Sequence, residues 1–137
     1  MRVLLDTDVL IDLALDREPF AEPAAALFEL LERRPGLGWI AWHSASTFYY
    51  LVAPERGPQG ARQFLMELSG FVGVAETTTE SLRFAAALEV RDFEDAMQAA
   101  AARACGADLI ITRNLKDYRL SPIPVTTPQA LVDELVR

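Results

Sequence analysis

Acidic residues fall at three places where an apolar segment ends or a helical pattern begins. Asp6 and Asp8 follow the opening MRVLL, Asp92, Glu94 and Asp95 head an alanine-rich stretch, and Asp117 follows ADLIITRNLK. Carboxylates are hard oxygen donors, and Mg²⁺ or Mn²⁺ takes one or two of them together with waters and substrate phosphates. Asp6, Asp95 and Asp117 have that chemistry. Brought together without a cation they would repel and raise one another's pKa. Local structure offers competing explanations. Asp8 reads as a helix N-cap before VLIDL or as a residue behind the site, and Asp92 with Asp95 resembles a capping box. Asp117 reads equally as a solvated turn residue. Asp95 lies inside its helix and Asp6 ends a strand, where nothing local calls for an acid, so these two carry most of the metal reading.

The elements that must position these acids alternate along the chain. RVLLD, GWIAW, FVGVAE, ADLIITR and IPVTT read as short strands, bounded by Gly, Pro or polar residues. Between them AEPAAALFELLERR, SASTFYYLVA, GARQFLMELSG, ESLRFAAALEV and FEDAMQAAAARACG carry apolar residues at helical spacing. The last of these ends at Gly106, suited to a helix C-terminus, and TPQALVDELVR predicts a closing helix capped by Thr127 with Pro128 in its first position. The stretch from Pro54 to Gly60 reads as a turn between helices. This alternation predicts one α/β domain over residues 1–137, with a parallel sheet covered on both faces. In such sheets ligands bind beyond the carboxyl ends of the strands, near a topological switch point. That rule gathers Asp6, Thr112, Asn114 and Asp117 on one edge, with the helix headed by Asp92 facing it.

A net charge of −7 argues against a broad basic nucleic-acid surface, though not against a nuclease whose acids hold cations. Lys116 is the sole lysine, so the basic side chains are nearly all Arg. No apolar run reaches the ~18 residues of a membrane span, and the opening lacks a signal-peptide core, which predicts a cytoplasmic protein away from membranes. Cys105, the one cysteine, reads as a small core residue. His43, beside Trp42 at a strand end, reads as a packed or hydrogen-bonded residue and not as a catalytic base.

LLDTDVLIDL, HSASTFYYL, DFEDAMQAAAARACGADLIITRNLKDY and SPIPVTTPQAL, in this order and spread over nearly the whole chain, resemble a PIN domain, the nuclease fold of VapC-type toxins. The resemblance implies a three-layer α/β/α sandwich around a parallel sheet of about five strands, and a divalent-metal-dependent ribonuclease using Mg²⁺ or Mn²⁺. It carries Asp6 and Asp95 over as metal ligands, with Asn114 or Asp117 in the place of the fourth acidic group and Thr112 and Arg113 at the same strand end. Asp8 matches a nearby position that need not bind metal, and Ser44 and Thr47 match a hydroxyl-bearing helix start. It also implies an RNA substrate and a small antitoxin as partner. Tyr49 and Phe20 are candidates for that contact or for a homodimer.

The chain departs from the family pattern at one place. Such domains usually carry a Glu on the helix after the second strand. In HSASTFYYL that position reads as Tyr50, and no acid lies between Trp39 and Pro54. One metal is then expected to bind firmly and a second weakly, with Asp92 as the compensating ligand. Two rival readings remain. The opening also resembles a haloacid-dehalogenase-like phosphatase, with Asp6 as nucleophile, Asp8 as general acid and Lys116 as the required lysine. A catalytically weak module binding RNA or protein is the other.

Overall fold

The computed structural model describes residues 1–136. Five parallel strands form one sheet: β1 (Val3–Leu5), β2 (Gly38–Ala41), β3 (Val72–Ala75), β4 (Leu109–Ile111) and β5 (Val125–Thr126), in the spatial order β3-β2-β1-β4-β5. Six helices flank it: α1 (Thr7–Ala14), α2 (Ala21–Arg33), α3 (Trp42–Leu68), α4 (Thr79–Ala87), α5 (Phe93–Ala104) and α6 (Pro128–Leu135). A 3-10 turn covers Leu115–Tyr118. The expected α/β sandwich with a five-stranded parallel sheet is what the chain forms.

Alternation along the central strands divides the core. Val3, Leu5 and Ile111 point into a cluster with Leu10, Leu27, Leu31, Phe48 and Leu131. Leu4 and Ile110 point the other way, against Ala99, Ala101 and Ala102 of α5. From β1 the chain moves outward through β2 to β3, then returns to the opposite side of β1 as β4. The switch point therefore lies between β1 and β4, whose ends are in register at Leu5 and Ile111.

The turn expected between helices from Pro54 to Gly60 is present as a sharp kink: two helical segments of α3 meet at Gly57 (φ 81°, ψ 155°), a conformation that glycine reaches without a Cβ clash. Pro58 restarts the helix, where its missing N–H is not needed. One local expectation is corrected: Asp8 is not the cap of α1. The N-cap position is Asp6, in extended conformation and without a side-chain cap bond, while Asp8 lies in the first turn, where the helix dipole favours an acid. The expected ends of α5 and α6 are present: Gly106 has φ 70°, and Thr127 Oγ1 accepts the Ala130 N–H.

Candidate metal centre

Asp6 does not cap α1 because its carboxyl is turned across the switch point. The Asp6 N–H donates to the Ile111 carbonyl at 2.9 Å, and Thr112 Oγ1 donates to Asp6 Oδ2 at 2.8 Å. Both side chains are buried. β4 thus fixes the acid at the end of β1. α5 supplies the rest. Its alanines let it lie close over the sheet, packed against β1, β2, β3 and β4, and this brings its first turn to the strand ends. Oxygens of Asp6, Glu94 and Asp95 all lie within 4.8 Å of one another.

The electrostatics follow from that crowding. Burial pushes Asp6 up to about 6; the Thr112 hydrogen bond opposes this and the charges of Asp8 and Glu94 add to it. Asp95 is raised to about 7, again mainly by burial, then by Asp6, Asp92 and Glu94. Glu94 moves the opposite way. Burial raises it, but hydrogen bonds from His43 and Gln98 outweigh that and leave it below its ordinary range. His43 Nε2 meets Glu94 Oε2 at 2.8 Å, and Gln98 Nε2 donates to the same oxygen at 3.0 Å. Gln98 Nε2 also lies 3.0 Å from Thr7 Oγ1 and 2.9 Å from Ser44 Oγ, and Thr7 Oγ1 donates to Ser44 Oγ at 2.8 Å. One buried polar network therefore ties α1, α3 and α5 together behind Glu94.

The remaining sequence candidates spread around this centre. Asp92 is the N-cap of α5: its Oδ1 accepts the Glu94 N–H at 2.8 Å and the Asp95 N–H at 3.3 Å. Asp117 is exposed in the 3-10 turn. Neither joins the tight group, but both line an open cavity of about 870 Å³ with Asp95, Arg91, Lys116 and Arg119. Asn114 accompanies Thr112, donating its N–H to Thr112 Oγ1 at 3.0 Å and its Nδ2 to Asp8 Oδ2 at 2.7 Å. Arg113 turns away to pair with buried Asp12 at 2.8 Å and stacks over Phe20. Thr47 donates weakly to the His43 carbonyl of its own helix.

Helix α3 meets the acids through His43, not through Tyr50. Tyr50 lies two turns further along and is 74% exposed. His43 belongs to the first turn of α3, not to a strand end, and it is hydrogen-bonded as expected. Glu94, Gln98, His43 and Tyr118 are neighbours of the site that the sequence reading did not assign to it. Gln98 left a signal: a lone amide in AMQAAAA, where every flanking residue is apolar, needs polar partners once buried. Glu94 left none, because adjacent helix positions diverge by about 100° and only one of two neighbouring acids is expected at a site.

Three carboxylates of mixed proton affinity, half or fully buried, offer the kind of oxygen donors that a hard divalent cation takes. The PIN-domain family model matches residues 2–116. No curated protein sequence matches the chain. Among solved structures, a chain of VapBC2 from Rickettsia felis, bound to a DNA fragment from its promoter, is 15% identical with a TM-score of 0.72, covering 93% of this chain and 98% of that one. A chain of VapBC-1 from nontypeable Haemophilus influenzae is 15% identical with a TM-score of 0.69, at 93% and 98% coverage. VapC20 from Mycobacterium tuberculosis, a sarcin–ricin loop cleaving toxin, is 18% identical with a TM-score of 0.61, at 79% and 86% coverage. At these identities the likeness is one of fold. The family match is stronger evidence, since it runs from β1 into the 3-10 turn and takes in all three clustered acids, and on it the chain belongs to the PIN-domain family.

Proposed function

We propose that the protein is a divalent-metal-dependent endoribonuclease that hydrolyses RNA phosphodiester bonds, and the toxin of a toxin–antitoxin pair. The observation that carries this reading is the gathering of Asp6, Glu94 and Asp95 at the switch point of a PIN-domain sheet. Asp6, Asp95 and Glu94 would hold Mg²⁺ or Mn²⁺, with Asp92 and Asp117 on the adjoining wall as further acidic candidates. The bound ion supplies charge stabilisation at the phosphate and a water of lowered pKa. The chain's own groups do the rest. Thr112 orients Asp6, while His43 and Gln98 hold one oxygen of Glu94 and leave the other free. Because Asp6 and Asp95 bind protons near neutrality, loading the site releases protons and tightens as pH rises.

Substrate reaches this centre through the open cavity. Arg91, Lys116 and Arg119 line it, and none of the three forms an ion pair among the described residues. They are suited to phosphates on either side of the one being cleaved. The partner reading is supported by VapBC assemblies among the similar structures. Of the aromatics considered for a protein contact, Phe20 lies under Arg113 and Tyr49 is half-buried; Trp42 and Tyr50 are the ones most open to an antitoxin or a second copy. A homodimer in the cytoplasm completes the proposal; no helix of the described residues is long and apolar enough to cross a membrane.

The family match removes support from the phosphatase alternative, and Asn114 already engages the Asp8 carboxylate assigned there as general acid. One assay separates the readings. The purified protein, with Mg²⁺ or Mn²⁺, is offered single-stranded RNA, structured RNA and a small phosphomonoester. RNA cleavage abolished by EDTA, by Asp6→Asn and by Glu94→Gln is expected. Phosphomonoester turnover alone would restore the phosphatase, and turnover of neither substrate would leave a binding module.

A further inference from the structure

We infer that Tyr118 is a positioning residue of the metal centre, its hydroxyl serving Asp6 as a second donor in addition to Thr112. This rests on the metal reading of the site. Tyr118 closes the 3-10 turn Leu115–Tyr118, and its ring packs in the cluster with Leu4, Ala99, Ala102 and Ile110. The residue is only 2% exposed, yet its hydroxyl has no hydrogen-bond partner among the described residues. It lies close enough to Asp6 that each alters the other's proton affinity, and the charges of Asp95 and Glu94 also reach it. A Phe would fill the same apolar place without leaving a polar atom unmet. A buried hydroxyl beside Asp6 therefore has a use that packing does not supply.

Its chemistry suits that use. Burial and the neighbouring negative charges raise its pKa, so it stays a neutral phenol and can only donate to a carboxylate. Thr112 already occupies Asp6 Oδ2. A second donor from the 3-10 turn restrains the rotation of the carboxyl group, which otherwise has one hydrogen bond and two repelling acids to orient it. Outer partners of this kind typically change metal affinity by about 10–100-fold.

The test is Tyr118→Phe, with Mn²⁺ affinity measured by calorimetry and Tm measured in EDTA. The expected result is affinity weakened about tenfold, with Tm in EDTA little changed because Phe fills the same apolar place. Unchanged affinity would overturn the inference. Wild-type protein that binds no Mn²⁺ is a different failure, that of the metal reading itself. Should Tyr118→Phe fold poorly, Tyr49→Phe/Tyr50→Phe leaves Tyr118 as the only tyrosine. Its ¹³Cζ-labelled NMR signal should then shift on adding Mg²⁺, and a signal indifferent to saturating Mg²⁺ would overturn the proposal as well.

Discussion

On one face of the sheet the core is built from Leu10, Leu27, Phe28, Leu31, Phe48 and Leu131; on the other it is built from Ala99, Ala101 and Ala102 under α5. The first face buries large side chains from α1, α2, α3 and α6, and at about 25 cal/mol per Å² of apolar surface each of these stabilises more than a buried alanine does. The alanine face contributes less per residue. What it provides is close approach, since a helix with methyl side chains lies nearer a sheet than one with leucines. The acids at the first turn of α5 reach Asp6 only because of that approach. The two faces thus divide the labour between stability and geometry.

The largest effect should separate the two roles. Phe48 is fully buried and stacks on Phe64 at 4.8 Å. Phe48→Ala should lose about 3–5 kcal/mol in a denaturant titration, while the folded protein keeps its Mn²⁺ affinity. A matching loss of metal affinity would break the division.

Next comes the site in the absence of metal. Burial raises the Asp6 pKa to about 6 in the folded chain against 3.8 for an ordinary aspartate, so the native state holds the proton more tightly than the unfolded chain. Stability from this residue is full below about pH 4 and is lost as pH rises towards its folded pKa, the reverse of an ion-paired acid. A shift of that size corresponds to about 3 kcal/mol. In EDTA, Tm should fall between about pH 4 and pH 7, with Asp95 extending the upper end. Asp6→Asn should flatten the fall and melt higher than wild type at neutral pH. A wild-type profile that rises through this window would show that the acids are not crowded as described.

A smaller change in stability should have the larger consequence for the site. Ala99→Leu overpacks the α5 interface and should cost about 1–3 kcal/mol. By lifting the head of α5 it should also weaken Mn²⁺ binding, in contrast to Phe48→Ala. Loss of stability with unchanged affinity would show that close packing does not set the acid geometry. The smallest effect belongs to Tyr50→Glu. At 74% exposure, it should move stability by no more than about 0.5 kcal/mol and leave Mn²⁺ affinity as it was. Tighter binding would mean that α3 presents Tyr50, and not His43, to the metal.

Much of this was legible in the chain. Short apolar runs, several rich in β-branched residues and bounded by Gly, Pro or polar residues, marked all five strands, and helical spacing marked the layers on both sides. Asp6 and Asp95 stood out because local structure gave them no other employment. Asp92 was legible as a cap for the opposite reason, since the turn it starts needs its oxygen. The α3 residue bonded to the clustered acids is His43 and not Tyr50, because spacing along a helix gives the angle of a side chain but not which turn abuts the site. α3 begins at the strand end, so its first turn, with His43 and Ser44, is the part that reaches the acids.

What the sequence by itself determined are the properties that depend on near neighbours: strand and helix identity, the capping of α5 and α6, the left-handed break at a glycine, and an acid at the end of β1. Tertiary structure alone decided the membership of the site. Glu94 joined Asp6 and Asp95 because α5 docks head-first over the β1–β4 switch point, and Gln98 and His43 joined because that docking brings α1, α3 and α5 to one place. Tyr118 lies beside Asp6, which is 112 positions earlier in the chain. Such distances are set by how closely two surfaces pack, a property of the folded interior that no run of neighbouring residues encodes.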